Sequence, residues 1–171
     1  MLGAIIGDIV GSRWEFNPTN DYDFEWLSKE NGFTDDTICT VAVADALLHE
    51  RDFGESIHDW CNRYPHPMGG YGGRFAQWVR SEHPKPYDSF GNGAAMRLSP
   101  VALWIIGQST SFEDAVRKAV ALGADADTLG AIVGSIAEAI CGIPQSMKNE
   151  IMTYLPDEMK AAVKEFYKHI K

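Results

Sequence analysis

At 171 residues the chain has the length of one ordinary domain with a single core, too short to argue for two. Its 45% hydrophobic and 23% charged residues exclude disorder. A formal net charge of -9 opposes a phosphate backbone and excludes nucleic-acid binding unless bound cations reverse the local sign.

The opening MLGAIIGDIVG is apolar, yet it has no basic leader, carries Asp8 and is too short to span a bilayer, so neither a targeting segment nor a membrane span is expected. Over residues 2–13, Gly3, Gly7 and Gly11 fall four apart on one face of a helix, bare enough for another backbone to approach closely. Three glycines cost helix propensity, which packing is expected to offset. From Glu15 to Phe33 the sequence turns to Asn, Pro, Asp and aromatics without periodicity, a long loop of the kind that carries function.

A second helix is expected from Thr34 or Asp35 to about His49, with Ile38, Val41, Ala42, Ala46 and Leu48 nearly encircling it, which makes it central. ESIHDWCNRYPHP reads as a shorter helix stopped by Pro65. MGGYGGRFAQWV is then a glycine-rich loop entering another helix, and SEHPKPYDSFGNG is loop. Residues 94–107 and 112–122 read as two further helices, the latter with Phe112, Ala115, Val116, Ala119 and Val120 at helical spacing.

After ALGADADTLGAIVG, Leu129, Ile132, Val133, Ile136, Ala137 and Ile140 form the cleanest amphipathic pattern, closed by Gly142 and Pro144. The tail from Pro156 repeats it with Met159, Val163, Phe166, Tyr167 and Ile170. No stretch alternates with period two and no internal repeat is visible, so the fold class is all-α. Cys39, Cys61 and Cys141 are odd in number and lack CxxC spacing. Neither a disulfide framework nor a zinc knuckle is indicated, a reducing cytoplasm fits, and Cys39 and Cys141 are expected as small core residues.

Two acidic clusters sit where loops enter apolar helices: FTDDT at residues 33–37 and the DADT of the later motif. If they face each other, Asp35, Asp36, Asp125 and Asp127 with the hydroxyls of Thr34 and Thr128 make an all-oxygen set suited to hard cations such as Mg2+ or Mn2+. Such a cation would remove the mutual repulsion of the carboxylates. Asp and Thr are also favoured helix caps, although a cap needs one carboxylate and each cluster holds two. SFGNGAAMR and GGYGGR permit close backbone approach to a ligand or simply make turns. Glu15 alone reads as a solvated glutamate, and Asp8 as a partner for a neighbouring helix end.

Taken in order, GAIIGDIVGSRWE, FTDDT, GGYGGRF, GNGAAMRLSP and GADADTLGAIVGSIAEAICG resemble the successive motifs of the ADP-ribosylglycohydrolase family, over about residues 3–144. The resemblance implies a compact, single-domain, orthogonal helical bundle over residues 1–171 with a binuclear Mg2+ or Mn2+ centre that removes ADP-ribose from its acceptors. It makes Thr34, Asp35, Asp36, Asp125, Asp127 and Thr128 metal ligands and gives Glu15, with Asp35 and Asp127, a catalytic role. Gly70, Tyr71, Gly72, Gly91, Asn92, Gly93 and Ala94 would line the ADP-ribose cleft, and residues 15–33 are a candidate for the family's mobile flap.

The implied partner is an ADP-ribosylated protein or a small ADP-ribose conjugate, with nucleic acid only as a modified acceptor and no membrane. A non-hydrolytic ADP-ribose sensor on the same fold is the alternative. Many relatives are longer, so helices that shape acceptor recognition are expected to be missing. Glu138 stands where a small residue is usual, as a surface substitution or an arginine's partner.

Overall fold

The computed structural model describes residues 1–89, 91–122 and 126–169, with the side chains of residues 126 and 127 outside that description. Among these residues there are helices and no strand, and no helix is long and apolar enough to cross a membrane. The chain divides into two compact units, Met1–Trp104 and Ile105–Lys171.

In the first unit, α1 (Leu2–Gly11) runs into a 3-10 turn at Ser12–Trp14, followed by α2 (Asp35–His49), α3 (Phe53–Arg63), α4 (Gly73–Val79) and α5 (Gly93–Met96). Helix α2 supplies most of the core: Ile38, Cys39, Ala42 and Val43 pack with Ile57 and Cys61 of α3 and Val79 of α4, bordered by Trp60, Tyr71, Phe75, Trp78 and Met96. Leu48 departs from the expected ring of buried residues and is 66% exposed, at the last turn where α2 leaves the core.

Small residues let α2 and α3 meet closely. The buried Ser56 hydroxyl donates to the Ala42 carbonyl at 2.8 Å, and Arg51 between the two helices pairs with Asp45 at 2.9 Å and with Asp59. Asp52 caps α3 by accepting from the Glu55 N–H at 2.9 Å.

The long segment after Trp14 is irregular, as its composition predicts, and it is tied back onto the end of α1. Asn31 Nδ2 donates to the Ile9 and Val10 carbonyls at 2.8 and 3.2 Å, using orphan acceptors of the last turn. Arg13 reaches the Ser28 hydroxyl at 3.0 Å and also bonds the Glu25 carbonyl, while Trp14, Phe24 and Trp26 form an edge-and-stack series.

Two expectations fail locally. Within the first unit a Cβ built at Gly3, Gly7 or Gly11 meets no atom within 4 Å, and Gly7 and Gly11 border a cavity. Residues 94–107 form α5 and then α6 (Ser99–Gly107), not one helix. Arg97 leaves helical geometry at φ -102°, ψ 6°, and Pro100 stands in the first turn of α6, where its missing N–H costs no helical bond.

The second unit contains α7 (Phe112–Ala121), α8 (Ala126–Cys141), α9 (Gln145–Met152) and α10 (Asp157–His169). Gly130 and Gly134 of α8 face Val120 and Val116 of α7, whose methyl groups lie 3.8 Å from where each Cβ would stand. Around that contact Ala115, Ala119, Leu129, Val133 and Ala137 are buried. Gly142, at φ +68°, ends α8.

Helix α9 has no counterpart in the sequence reading, because QSMKNEIM carries too few apolar residues to show a period. Cys141, expected in the core, is exposed at the end of α8. The partner of Glu138 is Tyr167, whose hydroxyl donates to it at 2.5 Å, and not an arginine.

Ile38→Ala should lower the unfolding free energy in urea by about 2–4 kcal/mol, since the cavity it leaves lies in the α2 core. Gly134→Ala should leave it unchanged or raise it by up to ~1 kcal/mol, because the added methyl meets only ordinary contact and helix propensity improves. A destabilisation by Gly134→Ala matching that of Ile38→Ala would contradict the α7–α8 packing.

Candidate functional site

The N-terminus of α2 is held by a residue far away in sequence. Asp8, on α1, accepts at Oδ1 from the Thr34 hydroxyl at 2.6 Å and at Oδ2 from the Thr34 N–H at 2.9 Å, the Thr37 N–H at 3.3 Å and the Thr37 hydroxyl at 2.6 Å. The buried Thr34 is also the N-cap, its hydroxyl oxygen accepting from the Asp36 N–H at 3.2 Å. Asp35 takes its own N–H. The first-turn donors of α2 are thereby satisfied before the helical ladder begins with Ile38 N–H on the Thr34 carbonyl at 3.4 Å.

Asp35 and Asp36 consequently accept no hydrogen bond from another residue's side chain among the described residues, and they border a cavity of about 750 Å³. Glu15, Thr34, Gly70, Tyr71, Gly72 and Asn92 line the same cavity, with Asp8, Phe16, Gly69 and Met96. A second cavity of about 420 Å³ is lined by Gly91, Asn92, Gly93 and Ala94 together with Arg74, Tyr87, Ser89 and Arg97. Asp35, Gly72, Asn92 and Met96 border both cavities.

Electrostatics in the first cavity are unfavourable to charge. Burial pushes the Asp35 carboxyl up to about 6, aided by Asp36 and, more weakly, by Glu15 and Asp8, against the opposing effect of its own N–H. Asp36 is raised by burial first and then by Asp8 and Glu15. Tyr71 is held above its ordinary value by burial and by Cys61, and its hydroxyl donates to the Tyr64 carbonyl at 2.7 Å, which makes it a fixed wall.

Glu15 lies over a glycine turn. Gly70 N–H closes on the Pro67 carbonyl at 3.1 Å, and Gly69, at φ +75°, stands where a type II turn demands glycine. A Cβ on Gly69 would lie 2.7 Å from Glu15 Oε2, so a bare backbone is needed for the carboxylate to rest there.

Of the residues expected to hold a metal, Thr34, Asp35 and Asp36 meet in one place, with Glu15 beside them. Asp125 and the side chain of Asp127 lie outside the described residues, and Thr128 opens α8 in the second unit. Among the described residues no three His, Cys, Asp or Glu side chains converge closely enough to hold a metal ion by themselves. Two desolvated carboxylates and a hydroxyl are nonetheless a hard-oxygen set that fits a divalent cation, which would relieve the repulsion just described. Gly69, Met96 and Phe16 fall within GGYGGR, SFGNGAAMR and the 15–33 loop, whereas Asp8 and Tyr87 are cavity-lining residues outside the expected site set.

A raised carboxyl makes stability depend on pH. Between the unfolded value of 3.8 and the folded value of about 6 the folded state binds more protons, so this contribution falls as pH rises through that window. With chelator present, Asp35→Asn should melt above wild type at pH 7, and the gap should close towards pH 4. Asp35 is partly exposed, so solvent screening reduces the expected gap to about 1 kcal/mol. Wild type matching or exceeding the variant at pH 7 would contradict the strain.

The ADP-ribosylglycohydrolase family model matches residues 1–110 and 100–171. ADP-ribosylhydrolase ARH3 of Xenopus tropicalis is 29% identical over 134 residues, covering 60% of this chain and 37% of that protein. Its Danio rerio namesake is 31% identical over 131 residues, covering 60% and 35%. The putative ADP-ribosyl glycohydrolase L543 of Acanthamoeba polyphaga mimivirus is 25% identical over 126 residues, covering 57% and 38%. The chain therefore spans a little over a third of these relatives' length. No solved structure matches it. Because that family model matches more than half of its residues, the chain belongs to the ADP-ribosylglycohydrolase family.

Proposed function

We propose that the protein hydrolyses the glycosidic bond between ADP-ribose and an acceptor, using divalent cations, Mg2+ or Mn2+, held by Thr34, Asp35 and Asp36, with Asp125, Asp127 and Thr128 as the further ligands that the family resemblance implies. The observation that carries this reading is the division of charge between adjoining cavities. Glu15, Asp35 and Asp36 line one, Arg74 and Arg97 the other, and Asp35, Gly72, Asn92 and Met96 border both. A substrate with an anionic diphosphate at one end and a glycosidic carbon at the other fits that polarity. The names of the relatives, ADP-ribosylhydrolase and ADP-ribosyl glycohydrolase, point the same way.

In this reading Arg74 and Arg97 pair with the diphosphate, and the glycine backbone at Gly91 and Gly93 lets it come close. The distal ribose lies over Asp35, Asp36 and Glu15, where negative side chains stabilise the positive charge that develops at its anomeric carbon. Cations held by these residues would supply Lewis acidity to the ribose hydroxyls and to the attacking water. The bond from the anomeric carbon to the acceptor breaks, a water oxygen takes its place, and one water proton leaves with the acceptor. Glu15, which rests over the Gly69–Gly70 turn, carries that proton in this reading.

The test is release of free ADP-ribose from arginine-linked and serine-linked ADP-ribosyl peptides with Mg2+ or Mn2+, with excess chelator, and in variants. Release should require the cation and fall at least ~100-fold in Asp35→Ala. Glu15→Gln should slow turnover by roughly 10²–10⁴-fold while leaving ADP-ribose affinity within a few-fold. Tight ADP-ribose binding without release from either conjugate would favour a non-hydrolytic sensor, and chelator-resistant release would remove the cations from the mechanism.

A further inference from the structure

The hydrogen bonds around Thr34 fix more than the start of a helix. A threonine hydroxyl has one proton and two lone pairs. At Thr34 the proton goes to Asp8 Oδ1 at 2.6 Å and one lone pair takes the Asp36 N–H at 3.2 Å. The second lone pair is what the hydroxyl has left on the wall of the acidic cavity, beside Asp35 and Asp36. Without an anionic acceptor behind it, the same hydroxyl could turn its proton towards the cavity, and a proton there repels a cation.

We propose that Asp8 is a positioning residue that commits the Thr34 hydroxyl to presenting an oxygen lone pair to the cavity, so that Thr34 joins Asp35 and Asp36 as a ready-oriented donor for a divalent cation. The assignment rests on the cation reading above. A carboxylate is needed for the task because it only accepts, and all of its contacts here are with donors: two backbone N–H groups and two hydroxyls of Thr34 and Thr37. An amide in its place would aim N–H groups at some of those donors.

A plain helix anchor would make the same contacts, and Thr37 separates the two roles. Its hydroxyl bonds Asp8 at 2.6 Å, yet Thr37 does not line the cavity. The experiment is Mn2+ titration by calorimetry of wild type, Asp8→Asn, Thr34→Ser, Thr34→Val, Thr37→Val and the double variant Asp8→Asn/Thr34→Val, with melting temperatures measured alongside.

Asp8→Asn and Thr34→Val should each weaken Mn2+ by about 10–100-fold, the range for partners that orient a ligand. Thr34→Ser, which keeps the hydroxyl, should stay within about threefold, and so should Thr37→Val even though it melts lower. In the Thr34→Val background Asp8→Asn should weaken Mn2+ little further, because the two act through one oxygen. Should Asp8→Asn not fold, Asp8→Ser, which also removes the anionic acceptor, takes its place in the same cycle.

Unchanged Mn2+ affinity in the Asp8 variant, additive losses in the double variant, or a loss in Thr37→Val equal to that in Asp8→Asn would each overturn the assignment. Wild type that takes up no Mn2+ is a distinct result, which sinks the cation reading itself.

Discussion

The carboxylate of Asp8 is the constraint on which this site depends. A helix beginning with two aspartates would ordinarily spend one of them on its own free N–H groups. Here the Thr34 hydroxyl takes the Asp36 N–H, and Asp8 takes those of Thr34 and Thr37. Because the capping is done from α1, Asp36 is released from it and Asp35 is engaged only with its own N–H. The same contact fixes α1 against α2, and Ser12 and Asn31 extend that seam along the end of α1, with Gly32 N–H on the Ser12 hydroxyl at 3.2 Å.

Releasing the carboxylates has an energetic cost. Two acids side by side in a partly desolvated first turn are raised above their ordinary values, so at neutral pH their ionisation works against folding. The positive end of α2 offsets this by about 0.3–1 kcal/mol for each charge. Burial of Ile38 and Val43, at about 1.5–3 kcal/mol each, contributes more. The acidic end of α2 is tolerated because the following turns of the same helix are the best-packed part of the unit, a usual compromise between stability and activity.

What could be read from the sequence follows from the range of the interactions involved. The boundaries of α2, α7 and α8 rest on local periodicity and caps, and FTDDT, GGYGGR and GNG identify themselves by composition. The role of Asp8 is different in kind: the sequence allows it as a partner for a neighbouring helix end, which it is, but its partners lie 26 and 29 residues on and no local pattern says which helix end it meets. Gly3, Gly7 and Gly11 suggested close packing because a bare strip admits either a backbone or empty space, and spacing alone does not choose. The split at Arg97 was legible in principle from Pro100, but the apolar run VALWIIG masked it. The weakly patterned α9 lacked any such signal.

Charge explains why the two cavities need to be separate. An acidic protein repels a diphosphate at long range, but a Debye length of about 8 Å at physiological salt screens most of that repulsion until contact. Selectivity then depends on what is met within a few ångströms. Guanidinium groups that closed on Glu15, Asp35 and Asp36 would be lost to those carboxylates as ion pairs. Among the described residues neither Arg74 nor Arg97 is paired with a carboxylate, although Asp35 borders both cavities together with the neutral Gly72, Asn92 and Met96. With Asp35 the one acid among the four residues that border both cavities, and the other three neutral, the arginines stay unpaired and open to a ligand of opposite charge.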